Sequence, residues 1–441
     1  MVKAFQIAGR RLQSFNRCII VAVGRGGSVA IMIVSVAEEM NPTRRNTMED
    51  VHVVHCPGSW DAPDCTATFL SVMDGHGGRL MADYLEDHLS NNIADEWRYA
   101  ADEMERRRRK GVANNDDDAG AHDPKKKKRR HDGKIMTTST LTEQPSRSEI
   151  EIQGDIVRTA FERAFLLSDI RSRLDGISTS GATVACCVII PNYSSHGAKK
   201  KNGRPTSISI HAANAGDARA VLSSTTATRR PRRLSSPRSS AANVSAVDDD
   251  SDDRTMTTSI TTRKQRSTIN SVRTSALRIT HDHKSTDADE VSRIEQSGGI
   301  VVRGRVLGVL AVARSLGDHG LKEYVIGRPY VSSTVVHIDN GDDCPDDDDD
   351  DYPIGQEGPY TDDEFVIVAC DGLWDVMKDQ EAVNLVRRYV CGGDDNDNDS
   401  ENGEEKLAFN NSRRESVSSF LVEEALRRGS ADNITVICWY L

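Results

Sequence analysis

Short apolar runs rich in β-branched residues recur along the chain, and most are bounded by Gly, Pro, Asp or Asn. This pattern is typical of β-strands. It predicts strands at Val29–Val36, Val51–His55, Thr66–Met73, Ala182–Ile190, Ser207–Ala213, Ala218–Ser223, Ala276–Thr280, Phe365–Cys370 and Ile434–Tyr440. Helices are predicted between them, near residues 78–97, 157–165, 379–390 and 416–428. Strands that come in pairs with helices between the groups indicate a layered α+β domain rather than a regular parallel α/β fold.

Four polar stretches interrupt this pattern, near residues 99–147, 224–275, 341–363 and 392–413. Their composition cannot supply a hydrophobic core, so we expect them to be disordered inserts. The second insert lies between two apolar runs that would otherwise form a tight hairpin, where exposed backbone tolerates insertion. Without the inserts roughly 300 residues remain, which fits one domain over residues 28–441.

The basic segment 1–27 leaves two interpretations open. No acidic residue precedes Glu38, which is the charge bias of an organelle transit peptide. A structural N-terminus is the alternative. The apolar stretch 18–36 is broken by Gly and Arg, so no membrane span is expected. The basic run Lys125–Arg130 favours a nuclear localisation signal or a solvated loop. We therefore expect a cytoplasmic or nuclear protein, with organelle import as the alternative.

Charge and cysteine content exclude several classes of protein. The net charge of −11 comes largely from acidic runs such as residues 346–351, which stay solvated. The basic run at 125–130 is flanked by acidic residues and lacks interleaved aromatics, so nucleic-acid binding is not expected. Nine cysteines show no regular spacing, which favours a reducing compartment over a disulfide framework. No Cys is followed six residues later by Arg, which excludes the cysteine-phosphatase signature.

Acidic residues flank several of the predicted strands and turns. These are Glu49, Asp50, Asp74, Asp217, Asp318, Asp371 and Asp432. Carboxylates that converge repel each other and resist burial unless cations compensate them. Oxygen ligands select hard cations such as Mg²⁺ or Mn²⁺. Gly75, without a side chain, lets its carbonyl approach a cation. For Asp217 and Asp318 two interpretations stay equally open: each is either an acidic residue that orders its own turn or an outer metal ligand.

Two further side chains suit phosphoester chemistry. Arg45 precedes Glu49 by four residues, and a guanidinium fork matches a phosphate group in bidentate geometry. His76 adjoins Asp74, and histidine is able to donate a proton to a leaving alkoxide near neutral pH.

Taken together, these segments resemble the metal-dependent serine/threonine phosphatases of the type 2C family. The segments that carry the resemblance are Arg44–Asp50, Asp74–Gly78, Ser180–Thr183, Asp282–Lys284, Ser297–Gly299, Ala313–Asp318, Asp371–Asp375, Lys378–Val383 and Gly429–Thr435. They stand in family order. The resemblance implies a four-layer α-β-β-α sandwich, in which helices flank two antiparallel sheets and a dinuclear metal site lies at one edge.

The resemblance also implies residue roles. Asp74 bridges two Mg²⁺ or Mn²⁺ ions, Glu49 and the Gly75 carbonyl complete one of them, and Asp371 and Asp432 complete the other. Asp50 resembles the acid behind these ligands, Arg45 the phosphate-binding arginine and His76 the general acid. Asp217 and Asp318 are the candidates for outer ligands, and a weaker third ion is allowed for.

The implied activity is hydrolysis of phosphoserine and phosphothreonine in protein substrates. A hydroxide that bridges the two metal ions attacks directly, without a covalent phosphoenzyme. We expect a monomer. A catalytically inactive pseudophosphatase that acts as a signalling regulator is the alternative, but it predicts missing metal-binding acids and none is missing. A different two-metal phosphatase class would need a Gly-Asn-His-Glu segment, which the chain lacks.

Overall fold

The computed structural model describes residues 5–11, 14–23, 30–117, 148–193, 205–227, 272–338, 364–391 and 403–440. Its strands are β1 Phe5–Arg11, β2 Ser14–Val23, β3 Ala30–Glu39, β4 Val51–His55, β5 Thr68–His76, β6 Gly181–Asn192, β7 Ser207–Ala215, β8 Arg219–Ala227, β9 Val272–Arg278, β10 Val301–Val302, β11 Arg305–Val306, β12 Leu316–Gly317, β13 Tyr330–His337, β14 Phe365–Ala369 and β15 Ile434–Tyr440. Its helices are α1 Leu80–Asp117, α2 Glu149–Leu174, α3 Ala288–Gln296, α4 Asp371–Trp374, α5 Asp379–Cys391 and α6 Gly403–Arg427.

The strands form two large antiparallel sheets. One has the order β1-β2-β3-β15-β14-β8-β9, and the other has the order β13-β7-β6-β5-β4 with β12 paired to β6. The predicted α+β sandwich is confirmed. Register places Asp74 of β5 opposite Thr183 of β6, and Val368 of β14 opposite Ile437 of β15. The ends of β5 and β14 therefore carry the acidic segments that the sequence singled out.

Three apolar layers hold the sandwich together. Leu70 and Val72 of β5 face the other sheet, whereas Phe69 and Met73 of the same strand face α1 and α2. A third cluster packs α5 and α6 on the outer face of the first sheet. Strands that are buried on both faces need apolar residues at every position. This is why the sequence shows unbroken apolar runs instead of alternation.

Some predicted inserts are partly ordered. The helix predicted to end at Trp97 continues as α1 to Asp117, so disorder from residue 99 is wrong as far as Asp117. Charged residues in this extension pair one helical turn apart, as in Arg109–Glu105 at 2.9 Å, and such pairs favour a helix. Residues 224–227, 272–275 and 403–413 likewise belong to β8, β9 and α6. The remaining insert residues, 118–147, 228–271, 341–363 and 392–402, lie outside the described part of the chain.

The N-terminal segment contributes strands to the first sheet. Residues 14–23 pair as β2 along the whole of β3, and Ile19 is buried in the core between the sheets. This pairing agrees with the structural interpretation of residues 1–27, and import through the segment stays a prediction. Within the described helices, none is both long and apolar enough to cross a lipid bilayer.

His211 makes the stability of this fold sensitive to mild acid. It lies buried on β7, with Nδ1 2.8 Å from Ser333 Oγ of β13, and burial lowers its pKa from 6.5 to about 4. The unfolded chain takes up a proton below pH 6.5, but the folded protein does not until about pH 4. Stability from this residue is therefore lost as the pH falls through that window, by about 1 kcal/mol between pH 7.5 and 5.5.

Urea unfolding at these two pH values measures the loss. The control is His211→Gln, which has no titrating group at this position. We expect the free energy of unfolding to fall by about 1 kcal/mol more in the parent than in the variant. Equal losses in the two proteins would contradict the prediction.

Candidate metal centre and active site

Three aspartates from both sheets meet at one edge of the sandwich. Asp74 lies near the end of β5, Asp217 lies in the turn between β7 and β8, and Asp371 begins α4 directly after β14. One carboxylate oxygen of each lies within 4.8 Å of the other two. We call these residues the aspartate cluster. Residues far apart in sequence are thus brought together by the sandwich.

Burial and mutual repulsion make the aspartate cluster costly to ionise. Burial raises the pKa of Asp74 well above its usual range, and the charges of Asp371 and Asp50 add to the rise. Burial, followed by the charges of Asp217 and Asp432, raises the pKa of Asp371 in the same direction. Closely spaced carboxylates stay charged when positive charge compensates them. Because the donor set consists of oxygen, it fits a hard divalent cation such as Mg²⁺ or Mn²⁺.

Lys284 is a positive charge that already contacts the aspartate cluster. Its Nζ lies 2.9 Å from Oδ1 of Asp375 and 3.6 Å from Oδ2 of Asp217. Burial raises the pKa of Asp217, and the charge of Lys284 opposes that rise. Sequence reasoning gave neither Lys284 nor Asp375 a role. A signal for Asp375 was its position four residues after Asp371, which places both on one side of a helical turn.

Gly75 lets the loop before β4 pack against the end of β5. A Cβ on Gly75 would lie 2.5 Å from the carbonyl oxygen of Glu49, which is too close for any larger residue. The N–H of Glu49 donates to Oδ1 of Asn433 at 2.9 Å, and Nδ2 of Asn433 donates to the carbonyl of Met40 at 2.8 Å. Asn433, to which the sequence gave no role, therefore holds this loop. The Glu49 side chain is partly buried and lies outside the aspartate cluster.

Asp50 lies deeper in the protein, beside the aspartate cluster. Its Oδ2 accepts a hydrogen bond from Oγ1 of Thr435 at 2.8 Å. Burial raises the pKa of Asp50 to about 7, although hydrogen bonds from Thr435 and Cys370 oppose the rise. Asp50 therefore lies outside the aspartate cluster. Its role as the acid behind the metal ligands stays a prediction.

Arg45 and Asp432 form an ion pair at the rim. The guanidinium of Arg45 contacts Oδ2 of Asp432, and its Nε donates to the carbonyl of Ala431 at 3.3 Å. Both side chains are partly exposed. The structure thus brings together the predicted phosphate-binding arginine and one predicted metal ligand. Asp432 itself lies outside the aspartate cluster.

Asp318 contacts His76 rather than the aspartate cluster. Its Oδ2 lies 2.7 Å from Nε2 of His76 and also accepts a hydrogen bond from Oγ of Ser315. Burial alone would raise the pKa of Asp318, but the hydrogen bonds from His76 and Ser315 lower it overall. Of the two open candidates for an outer ligand, the structure therefore brings Asp217 to the cluster and places Asp318 on the histidine.

Comparison with known proteins shows similarity to one enzyme family. Residues 266–344 and 358–434 match the model of the family described as Protein phosphatase 2C. Over this part of its length the chain is similar to the protein phosphatase 2C family. The matched residues contain Asp318, Asp371 and Asp432, whereas Arg45 and Asp74 precede them. The fold brings the unmatched N-terminal residues to the matched ones.

Curated proteins similar to this chain come from fungi and plants. Protein phosphatase 2C homolog 1 of Schizosaccharomyces pombe is 41% identical over 162 residues, covering 37% of this chain and 34% of the relative. Protein phosphatase 2C 16 of Arabidopsis thaliana is 27% identical over 379 residues, covering 84% of this chain and 52% of the relative. The chain therefore spans about a third of the length of the first relative and about half of the length of the second.

A solved structure of a serine-threonine phosphatase 2C from Toxoplasma gondii aligns with a TM-score of 0.49 at 16% identity. The alignment covers 96% of this chain and 98% of the solved chain.

Proposed function

We propose that this chain is a metal-dependent protein serine/threonine phosphatase of the 2C family. Its substrates are phosphoserine and phosphothreonine monoesters in proteins. The observation that carries the proposal is the aspartate cluster, in which Asp74, Asp217 and Asp371 present oxygens within 4.8 Å of one another. The match of residues 266–344 and 358–434 to the protein phosphatase 2C model supports the choice of phosphoester hydrolysis among the reactions that such a centre can serve.

The cluster and its surroundings supply the ligands for divalent cations. The residues that would hold two Mg²⁺ or Mn²⁺ ions are Asp74, Glu49, Gly75 through its carbonyl, Asp371 and Asp432, with Asp217 for a weaker third ion. When bound, paired cations lower the pKa of water and stabilise negative charge in an in-line displacement. Asp50 adds negative charge behind Asp74 and strengthens the attraction for cations.

Arg45 binds the phosphate group of the substrate in this proposal. In the structure its guanidinium contacts one oxygen of the Asp432 carboxylate. A phosphate group offers a pair of acceptor oxygens to the guanidinium fork. The substrate phosphate therefore replaces the Asp432 carboxylate by a partner of greater charge. His76 is placed to give a proton to the serine or threonine oxygen that leaves.

Phosphate release from phosphopeptides by the purified full-length chain tests the proposal. We expect turnover of phosphoserine and phosphothreonine peptides with Mn²⁺ or Mg²⁺, loss of turnover on addition of EDTA, and recovery with excess metal. The matched control is a phosphotyrosine peptide of the same sequence, which we expect to be a poor substrate. Turnover that survives the chelator would contradict the metal dependence.

Calorimetric titration with Mn²⁺, together with the phosphate-release assay, distinguishes an active phosphatase from a pseudophosphatase. A protein that binds Mn²⁺ but releases no phosphate from any peptide would be a pseudophosphatase. We expect binding and turnover together.

A further inference from the structure

We propose that Asp318 is a positioning residue that orients His76 for proton transfer to the leaving oxygen of the phosphoester. This inference rests on the proposed function. The Asp318 carboxylate accepts the hydrogen bond from Nε2–H of His76 at 2.7 Å, which leaves Nδ1 as the ring nitrogen for the substrate. The Asp318 side chain is only 9% exposed and that of His76 is 27% exposed. The acceptor is thus shielded from water, whereas the imidazole is partly exposed to solvent.

The backbone holds Asp318 in a conformation that few side chains adopt. Its φ is 46°, in the left-handed region, and it follows Gly317 with a φ of 79°. The N–H of Asp318 donates to the carbonyl of Ser180 at 3.1 Å, and the N–H of Gly317 donates to Oδ1 of Asp169 at 2.8 Å. A left-handed non-glycine residue is strained and persists only where its surroundings enforce it. Here the enforced turn directs the carboxylate at His76.

Gly181 provides the space in which the two side chains meet. A Cβ on Gly181 would overlap both the Asp318 carboxylate and Nε2 of His76. Gly181 pairs with His76 across β5 and β6, and also with Gly317 of β12. Three strands therefore leave one gap, and the gap is filled by the contact between His76 and Asp318.

Ser315 fixes the carboxylate independently of the histidine. Its Oγ donates to the same oxygen of Asp318 that accepts from His76. Nζ of Lys322 in turn donates to the carbonyl of Ser315 at 3.1 Å. The acceptor is therefore already in place before the imidazole rotates towards it, which is how a positioning group reduces the number of ring orientations.

The proton-transfer step balances with water alone. As the P–O bond breaks, its electron pair goes to the serine or threonine oxygen, which takes the proton from Nδ1 of His76. The imidazolium becomes neutral imidazole with Nε2–H still bound to Asp318. The water that adds to phosphorus releases a proton, and this proton restores the imidazolium.

Substrates that differ in their need for a proton test the inference. p-Nitrophenyl phosphate has a leaving group that departs as an anion, whereas phenyl phosphate and a phosphoserine peptide need protonation of the leaving oxygen. We expect Asp318→Asn to lower kcat about 100-fold for the last two substrates and less than about threefold for p-nitrophenyl phosphate. Asparagine is chosen because it tolerates the left-handed backbone. Asp289→Asn, on the exposed first turn of α3, is the control and should leave kcat unchanged for both kinds of substrate.

Further measurements distinguish orientation from other roles. Introduced into His76→Gln, Asp318→Asn should have no additional effect. In the metal-free protein, ¹⁵N NMR should show His76 with its proton on Nε2 in the parent and a mixture of tautomers in Asp318→Asn. Ser315→Ala, which keeps the carboxylate, should lower kcat for phenyl phosphate severalfold and leave p-nitrophenyl phosphate unchanged. This second variant decides the matter if Asp318→Asn does not fold.

Three results would overturn the inference. One is an equal loss for both substrate classes in Asp318→Asn together with weaker Mn²⁺ binding, which would make Asp318 a metal ligand. Another is an unchanged substrate profile in Asp318→Asn, and the third is an unchanged profile in Ser315→Ala. A parent protein without turnover on any substrate would instead contradict the proposed function, so the two failures are distinguishable.

Discussion

Asp74→Asn is expected to abolish metal-dependent turnover and at the same time to stabilise the metal-free protein. The Asp74 carboxyl is buried next to Asp371 and Asp50, and burial with like charge raises its pKa well above its usual range. At neutral pH the unfolded chain ionises this group freely, so folding without metal costs free energy. A neutral amide of the same shape removes that cost. It also removes one negative charge of the aspartate cluster and so weakens the attraction for cations.

Thermal unfolding and phosphate release measure the two effects on the same samples. We expect kcat to fall at least about 1000-fold, because several kcal/mol of charge stabilisation depend on the bound cations. Without metal, the melting temperature should rise by roughly 2 °C or more, which corresponds to about 1 kcal/mol in a chain of this size. Mn²⁺ should raise the melting temperature of the parent but have little effect on that of the variant.

Asp95→Asn is the matched control for Asp74→Asn. Asp95 lies exposed on α1, pairs with Arg98 at 2.9 Å and does not belong to the aspartate cluster. It should leave turnover and the Mn²⁺-induced rise in melting temperature intact. A metal-free Asp74→Asn protein less stable than the parent would show that the buried carboxylate stabilises the fold, contrary to the argument.

The sequence predicted correctly those features that depend on a single strand and the residues next to it. The two-sided burial of β5 and β14 appears as unbroken apolar runs, and the acids at their ends follow directly in the chain. Asp74 and Asp371 were therefore predicted from local pattern, although their metal-binding role rests on resemblance and stays a prediction. The order of strands in each sheet is set by long-range pairing, which local pattern does not contain.

The sequence did not show which side chains from distant segments contact each other in the fold. Asp318 looked equally suited to a metal ion and to its own turn, and only the meeting of β5, β6 and β12 shows that it binds His76. Arg45 contacts Asp432 for the same reason. The pairing of β15 with β3 brings the segment after β3, which holds Arg45, to the segment before β15, which holds Asp432. Likewise, α1 continues beyond the residues with apolar periodicity, and charged side chains pair along this part of the helix, as Glu105 does with Arg109. Each of these outcomes depends on tertiary neighbours.

Gly372→Ala is expected to destabilise the protein by about 3 kcal/mol and to move Asp371 away from the other residues of the aspartate cluster. Gly372 follows Asp371 in α4, and a Cβ there would overlap the backbone carbonyl oxygen of Asn433. Backbone cannot move as a side-chain tip can, so α4 and the start of β15 must separate. Overpacking of this kind typically costs 1–3 kcal/mol, and a backbone obstacle belongs at the upper end.

The separation would reach the site through two contacts. The carbonyl of Gly372 accepts a hydrogen bond from Ser430 Oγ at 2.7 Å, and Asn433 holds the N–H of Glu49 at 2.9 Å. Movement of α4 away from β15 therefore shifts Asp371 relative to Asp74 and loosens the Glu49 loop. We expect the affinity for Mn²⁺, measured by calorimetry, to fall at least tenfold together with the loss of stability.

Gly154→Ala supplies the control, because it adds the same methyl group where there is room. In α2, a Cβ on Gly154 would lie 3.8 Å from His211 and Ser333, an ordinary van der Waals distance. Alanine favours a helix over glycine by about 1 kcal/mol, so this variant should be as stable as the parent or more so. Urea unfolding of both variants measures the contrast. If Gly372→Ala unfolded at the same urea concentration as Gly154→Ala, the contact between α4 and the Asn433 carbonyl would not hold the site together.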